Sequence, residues 1–274
     1  FMAHHQGMIL TAINNYLNDD IMIKRYHSHP VIKAGEIMLQ ERIKDNVVIT
    51  KEYKEISPYA DRQKDIYEEG IRNYDSVDIL PPPCQILTNG NYSVLLNYRG
   101  GGYSKLNGIL INRWRNDAIK GGYGSYIFIR NVNNDKIWSA TLEPFNKESD
   151  GYKVSFCQSK AQFIRIDDEI KTIMEVFVSQ EDDVEIRSIK IENHGRDSVT
   201  LELTSYLEVV LTNEEADMAH RAFSNLFVRT DYLDEYKSLV AVRKPRDGRE
   251  QEWWAFHSCL VDDSAMGHME YETS

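Results

Sequence analysis

The sequence contains little cysteine, and it lacks the spacings by which cysteine commonly binds zinc or forms a redox pair. Cys84, Cys157 and Cys259 are its 3 cysteines; they lie far apart, and no Cys-x-x-Cys occurs. An odd number of widely separated cysteines favours free thiols in a reducing compartment. The sequence therefore predicts no cysteine-ligated metal.

Positive charge is also scarce. The 274 residues include 32 Lys and Arg against 43 Asp and Glu, which gives a net charge of −11 at pH 7. Such a charge repels phosphate backbones and anionic lipid, so we expect no nucleic-acid partner and no membrane-surface partner. No run approaches the roughly 20 apolar residues that cross a bilayer, and no signal-peptide pattern is present.

Hydrophobic residues make up 42% of the chain, which is enough for a buried core in one large or two modest domains. Residues 1–43 predict helices. Ile9, Ile13, Tyr16 and Leu17 have the spacing of one buried stripe, and Pro30, after a break at 27–30, suits the first turn of a second helix. Two short helices cannot enclose a core by themselves.

Residues 44–83 predict a linker. The stretch is charged, is interrupted by Ser57-Pro58, shows only a weak helical pattern near 66–71, and ends in three prolines at 81–83. Consecutive prolines fix φ and remove backbone donors, so this part of the chain is expected to be extended and stiff. We therefore place a domain boundary before Cys84.

Residues 84–274 predict antiparallel strands, because short apolar and β-branched runs alternate with Gly, Asn and Asp clusters. The clearest runs lie at 92–98, 125–132, 136–142, 152–157, 161–166, 171–179, 184–192 and 199–211. In the last run, alternation predicts one strand that buries its odd-numbered residues, such as Leu203 and Leu211, and exposes even-numbered ones, such as Glu208. The fold class is therefore mainly β, a large antiparallel β-sandwich preceded by a short helical segment and a linker.

Several residue clusters have a chemical and a structural interpretation. His4, His5, His27 and His29 could gather around a metal, but adjacent helical residues point about 100° apart, and ordinary packing or surface roles are favoured. The acidic clusters at 167–169 and 181–183 fall where turns are expected, which favours solvated loops over the paired carboxylates of a glycosidase.

The segment Arg-Gly-Gly-Gly-Tyr-Ser-Lys at 99–105 has the glycines of a phosphate-binding loop. It lacks the Gly-Lys-Ser/Thr and the following helix, so a flexible loop between strands is predicted. The tryptophans Trp114, Trp138, Trp253 and Trp254 could stack on sugar rings, although cross-strand packing is favoured for aromatic residues in sheets.

The residues also carry a family resemblance. Phe-Met-Ala-His-His-Gln-Gly-Met at 1–8 resembles the closing helical motif of the glucoamylase-like region of cyclic β-1,2-glucan synthases. The segments 84–131, 137–144, 201–230 and 269–273 resemble, in order, the sandwich domain of their glycoside-phosphorylase-like module. Cellobiose and chitobiose phosphorylases share this domain, with a Gly-Gly-Tyr-Ser loop, here at 101–104, and a stretch corresponding to 112–116.

The resemblance implies an internal segment of a large bacterial enzyme. Residues 1–43 would be the last helices of a truncated glucoamylase-like domain, and 84–274 a supersandwich related to galactose mutarotase. The implied enzyme is cytoplasmic or attached to the inner membrane. Its partners would be a β-glucan oligosaccharide, an adjoining (α/α)6 barrel and, as in several members, a second copy in a homodimer.

The resemblance also implies a mechanism. Such phosphorylases invert: a carboxylic acid protonates the glycosidic oxygen while inorganic phosphate, a co-substrate, attacks the anomeric carbon from the opposite face. The acid lies in the barrel, so the resemblance implies no catalytic residue here, no other cofactor and no activity of the segment alone.

Candidate substrate-binding residues follow from the same resemblance. A Gln-Arg dipeptide near the sugar site of the phosphorylases corresponds to His220-Arg221, whereas the synthases usually have His-Pro there. Arg offers a planar donor fork to hydroxyls or phosphate, and His can donate or accept. Tyr103, Arg113 and Arg115 are further candidates, and for all five the alternative is salt bridges and loop packing.

Two other functions stay open from the sequence. The aromatic content and acidic character also fit a stand-alone carbohydrate-binding or assembly module. The four histidines at the N-terminal end would fit a metalloprotein. The favoured hypothesis is a non-catalytic sandwich domain that helps to shape a β-1,2-glucan site.

Overall fold

Two units make up the chain in the computed structural model, Phe1–Lys64 and Asp65–Ser274. The structure describes residues 3–33, 70–76, 79, 81–115, 122–245, 250–261 and 269–273. The weak helical pattern predicted near 66–71 and the break at Ser57-Pro58 fall almost wholly outside these residues. Within them, no helix is long and apolar enough to cross a membrane.

The first unit contains helices α1 (Ala3–Leu17) and α2 (Ile21–His27). Helix α1 ends before the predicted break because Asp19 and Asp20 adopt the left-handed conformation, which interrupts the helical hydrogen bonds. The predicted break itself follows α2 at 28–29, and Pro30 begins a further helical segment at 30–33, as predicted. The predicted stripe of α1 is not buried, since no α1 residue is buried. Among the described residues, no three His, Cys, Asp or Glu side chains could hold a metal ion.

The second unit is built from strands, with two short helices between β13 and β14. The strands are β1 (Arg72–Tyr74), β2 (Cys84–Thr88), β3 (Tyr92–Asn97), β4 (Gly102–Leu106), β5 (Ile109–Asn112), β6 (Ser125–Asn131), β7 (Lys136–Ser139), β8 (Gly151–Phe156), β9 (Ala161–Asp167), β10 (Ile170–Val178), β11 (Glu185–Asn193), β12 (Leu201–Leu207), β13 (Val209–Thr212), β14 (Val228–Leu233), β15 (Ser238–Arg243) and β16 (Trp253–Ser258). The helices are α3 (Glu214–Ala219) and α4 (Arg221–Asn225). The mainly β fold class is confirmed.

The strands form four sheets, and every pairing among the described residues is antiparallel. Sheet orders are β1-β8-β9-β10-β11, β12-β6-β7, β13-β5-β4-β3-β2 and β14-β15-β16. Strand β1, which pairs Arg72 with Phe156, lies inside the stretch predicted as a linker. The boundary before Cys84 stays a prediction.

The core is formed by several sheets, and burial alternates along its strands. In β3 the buried residues are Tyr92, Val94 and Leu96, and β10 contributes Met174 and Val176. Alternate side chains of a strand point to opposite faces, so each strand buries one apolar row. The acidic clusters at 167–169 and 181–183 lie in and beside turns, as predicted.

The prediction of one strand over 199–211 is wrong. The chain leaves β12, which pairs with β6, at Glu208 and continues as β13, which pairs with β5 in a different sheet. A register shift within β13 and a left-handed Leu211 break the alternation, so Val210 and Leu211 are both buried although they are neighbours. Leu203, predicted to be buried, is exposed.

The glycine segment at 99–105 is only in part the predicted loop: residues 99–101 connect β3 to β4, whereas 102–105 belong to β4 itself. Gly101 and Gly102 are buried, and Gly102 begins β4. A Cβ at Gly101 would lie 2.2 Å from Glu143 Oε2, and one at Gly102 would lie 1.8 Å from the Leu95 carbonyl oxygen. Glycine is required at 102 because a backbone oxygen lies too close for any side chain, whereas the atom nearest 101 is the end of the Glu143 side chain.

Gly102→Ala tests this close approach. The new methyl would overlap a backbone oxygen that cannot rotate away, so the free energy of unfolding should fall by about 3 kcal/mol. Gly151→Ala in β8 is the matched control, since its nearest atom would be the flexible end of Ile166 at 3.3 Å. Urea unfolding should show a change below about 1 kcal/mol for the control. Equal losses would contradict the packing role.

A polar cluster joins three of the sheets around Glu185. Ser104 Oγ of β4 donates to this carboxylate, Tyr92 Oη of β3 lies 3.5 Å from it, and Arg187 Nη1 donates to the Ser125 carbonyl at 2.6 Å. The half-buried His257 of β16 experiences the charges of Arg187 and Glu185. Burial, reinforced by Arg187 and opposed by Glu185, lowers the pKa of His257 below its usual 6.5.

This depressed pKa predicts acid destabilisation. As the pH falls, His257 takes up a proton in the unfolded chain before it does so in the folded protein. The contribution of neutral His257 to folding stability is therefore present above about pH 6.5 and is lost as the pH falls through the folded pKa. His257→Gln should therefore reduce the fall in unfolding free energy between about pH 7 and pH 5. Thermal unfolding across that range measures it, and equal slopes in the two proteins would exclude His257 as a cause.

Candidate functional site

The candidate site begins where β5 ends. Asn112 is buried and fixes β4 against β5: its Oδ1 accepts from the Ser104 amide at 2.7 Å, and its Nδ2 donates to the Gly102 carbonyl at 3.2 Å. The next amide, that of Arg113, donates to the Glu208 carbonyl at 2.8 Å. This bond extends the β5–β13 pairing and sets Arg113 beside Glu208.

Helix α3 supplies the buried partner of Arg113. The side chain of Asn213 caps α3 by accepting from the Ala216 amide at 2.8 Å, and the acidic first turn suits the positive end of a helix. Asp217, which is buried, accepts from Arg113 Nε at 2.9 Å and from Nη2 at 2.8 Å. This is the bidentate geometry that makes arginine–carboxylate pairs strong.

Glu208 connects this buried pair to the surface. Its carboxylate accepts from Arg113 Nη1 and, at 2.9 Å, from Nη2 of Arg221. The side chain of Arg113 is 2% exposed and that of Arg221 is 48% exposed. We call Arg113, Asp217, Glu208 and Arg221 the arginine–carboxylate cluster.

The electrostatics of the cluster keep Arg113 charged. Burial alone opposes the positive charge, but hydrogen bonds to Asp217 and Glu208 outweigh burial, so the pKa of Arg113 is raised. Asn225 Oδ1 accepts from Arg113 Nη2 at 2.7 Å, so every guanidinium nitrogen of Arg113 has a partner. Arg221 is therefore the cationic group of this cluster that faces solvent.

The structure brings together some of the residues predicted to bind substrate. Arg113 and Arg221 share Glu208. His220 lies between α3 and α4 and is exposed, and its carbonyl accepts from the Ser224 amide at 2.8 Å, which starts α4. Arg113 donates to protein groups in the way the alternative interpretation expected, and its role toward substrate stays a prediction.

Tyr103 and Arg115 lie on neighbouring segments. The Tyr103 ring packs edge-on against Trp114 at 5.2 Å between centroids, and Lys105 Nζ lies 4.3 Å from the Tyr103 centroid. Lys105 reaches α3 through a 3.1 Å ion pair with Glu214. Arg115 is half-buried, and its buried Nε has no hydrogen-bond partner among the described residues. Their substrate roles also stay predictions.

Sequence reasoning missed Glu208 and Asp217. Glu208 was placed on the wet face of a single strand, and nothing local distinguishes it from other exposed glutamates. Asp217 did carry a signal, since an Asn followed by an acidic turn indicates a helix start. A helix beginning at Glu214 would have placed Asp217 within its first turn, near the strand end that precedes it.

Asp217→Asn tests the buried part of the cluster. Loss of the carboxylate leaves the Arg113 charge buried with only Glu208 opposite, so the free energy of unfolding should fall by about 3–5 kcal/mol. Glu214→Gln, in the same helix turn but in a partly exposed ion pair, should cost less than about 1 kcal/mol. Chemical denaturation compares them, and similar values for both would show that the Arg113–Asp217 pair contributes little.

Comparison with known proteins places this chain in a family. Residues 67–274 match the family described as glycosyl hydrolase 94, supersandwich domain. The chain is 31% identical over 97% of its length to the cyclic beta-(1,2)-glucan synthase NdvB of Rhizobium meliloti (strain 1021), covering 9% of that protein. It is 23% identical over 57% of its length to N,N'-diacetylchitobiose phosphorylase of Vibrio furnissii, covering 20% of it.

The chain thus spans a fifth or less of the length of these relatives. Its match to the synthase covers residues of both of the chain's units. The resemblance drawn from the sequence motifs is confirmed, as is the supersandwich fold. The chain belongs to the glycosyl hydrolase 94 supersandwich-domain family.

Proposed function

We propose that this chain is the non-catalytic sandwich domain of a larger enzyme acting on β-1,2-glucan, where it contributes one wall of the sugar site. The observation that carries the proposal is the exposed Arg221, held by Glu208 against the buried Arg113–Asp217 pair. The name of the more similar relative, a cyclic β-(1,2)-glucan synthase, suggests the substrate class, and the diacetylchitobiose phosphorylase suggests the phosphorolytic reaction.

The cluster suits binding because Arg221 can change partners at little cost. Its guanidinium can turn its donors toward a sugar hydroxyl or a phosphate oxygen. Glu208 then keeps its hydrogen bond to Arg113 Nη1, so no buried charge is left unpaired when Arg221 leaves. His220, exposed beside it, supplies a second group able to donate or accept.

The chemistry itself is assigned to another part of the enzyme. In the proposed inverting phosphorolysis, an acid of an adjoining (α/α)6 barrel protonates the glycosidic oxygen while phosphate attacks the anomeric carbon. The residues described here bind and orient the saccharide. The barrel and, through a homodimer, a second copy are the proposed protein partners.

Arg221→Gln in the full-length protein tests the proposal. Removing a charged donor that contacts the substrate should lower kcat/KM on β-1,2-gluco-oligosaccharides by about tenfold or more. Arg229→Gln, an exposed arginine of β14, is the matched control and should stay within about twofold of wild type. Glucose 1-phosphate release and glucan consumption are both measured.

Three results would overturn parts of this proposal. A full-length protein that leaves β-1,2-glucan unchanged, with and without phosphate, would exclude the substrate class. Equal activity of Arg221→Gln and Arg229→Gln would exclude Arg221 from the site. Release of glucose 1-phosphate from β-1,2-glucan by the 274-residue chain alone would show that the chain is catalytic.

A further inference from the structure

One face of the β12-β6-β7 sheet, together with the turn that follows β7, carries a row of aromatic side chains outside the arginine–carboxylate cluster. Phe128 of β6 lies between Phe145 and Tyr206, with centroids 5.3 Å and 6.1 Å away. The opposite face of the same strands holds the core residues Ile129 and Trp138. We call Phe145, Phe128 and Tyr206 the aromatic row.

The aromatic row is accessible to a ligand. Phe145 is 49% exposed and Tyr206 is 46% exposed, although both are large rings that core packing normally covers. Phe128 is half-buried between them and fixes their spacing. The rings are tilted by 46° and 50° to the Phe128 plane, so successive ring surfaces face outward at different angles.

One end of the aromatic row meets the arginine–carboxylate cluster. Tyr206 Oη lies 3.5 Å from Glu208 Oε1, and the same carboxylate accepts from Arg221. Burial and the nearby Glu208 charge raise the pKa of Tyr206, so its phenol keeps its proton and can donate. The surface is therefore continuous from Arg221 through Tyr206 and Phe128 to Phe145.

Polar groups lie among the rings on this face. Thr204 pairs directly with Phe128 across the strands, and Arg130 forms an exposed ion pair with Glu202 at 3.2 Å. An apolar protein surface placed here would have to desolvate that ion pair. A saccharide suits both kinds of group, because its ring C–H faces pack on aromatic rings while its edge hydroxyls bond to polar side chains.

We propose that the aromatic row is a second binding surface for the glucan, one that holds sugar units beyond those contacted at Arg221. The proposal rests on the proposed function for the identity of the saccharide. It predicts that the row contributes to the binding of long chains and contributes nothing to a disaccharide that occupies the Arg221 end.

Phe145→Ala in the 274-residue chain tests the row, with a β-1,2-linked glucopentaose and the corresponding disaccharide as probes. Titrations are followed by NMR of the aromatic side chains and of the Arg221 guanidinium, up to millimolar saccharide. We expect pentaose binding to weaken about tenfold and disaccharide binding to stay unchanged, as for loss of one ring contact. Phe256→Ala, a phenylalanine of β16 that is more exposed than Phe145, is the control and should change neither.

The outcomes separate this inference from the proposed function. Shifts of the Phe145 and Tyr206 signals by pentaose, with the Tyr206 shift weakened in Phe145→Ala, support the row, whatever happens at Arg221. Shifts at Arg221 alone, or no shifts at all, overturn the row, while activity of the full-length protein still decides the proposed function separately. Phe145→Leu keeps the apolar volume, so weakening in that variant as well would assign the effect to the ring and not to altered folding.

Discussion

The ion pair between Arg113 and Asp217 is the interaction on which the candidate site depends. It is fully buried, it is bidentate, and it joins the end of β5 to α3. Removing two charges from water is costly, and their attraction compensates only when the geometry is good and the remaining donors are satisfied. Glu208 and Asn225 satisfy those donors, so the same contacts that stabilise Arg113 also fix the position of Glu208.

Other buried arginines perform the same task elsewhere in this unit. Arg243 Nη1 donates to the carbonyls of Val210 at 3.2 Å and Ser224 at 3.1 Å, which holds α4 against β13. Arg165 donates to the carbonyls of Thr141 at 2.9 Å and Lys147 at 3.2 Å, and so holds the loop that leads to Phe145. A guanidinium has five donors in a fixed plane, so one side chain can satisfy several loop carbonyls at once. Both ends of the surface from Arg221 to Phe145 are therefore positioned from the interior.

The sequence could predict features that depend on neighbouring residues, but not features that depend on residues far apart in the chain. Strand formation at β3 and β10 depends on short local runs, and the sequence predicted both strands; alternate residues are buried in each. The split at Glu208 depends on which sheet each half joins, and no local pattern contains that information. Likewise, the close contact at Gly101 comes from Glu143, a residue that is distant in sequence. The sequence shows the glycines but not the tertiary contacts that surround them.

The site residues show the same division. The family resemblance pointed to His220 and Arg221 because a motif occupies consecutive positions. Glu208 and Asp217 meet Arg113 only after β13 and α3 have folded back on β5, so tertiary structure alone brings them together.

The departure at position 221 is compatible with this architecture. Arg221 is the first residue of α4, a position at which proline is well tolerated because the amide there has no intrahelical partner. The His-Pro of the synthases and the His-Arg of this chain can therefore start the same helix.

What arginine adds is a cation beside Glu208, 2.9 Å from its carboxylate. With proline, Glu208 would keep only the buried Arg113 and would present its free oxygen as an acceptor. With arginine, that oxygen is shared and the surface presents donors, so the substitution changes the hydrogen-bonding character of this surface without changing the fold that supports it.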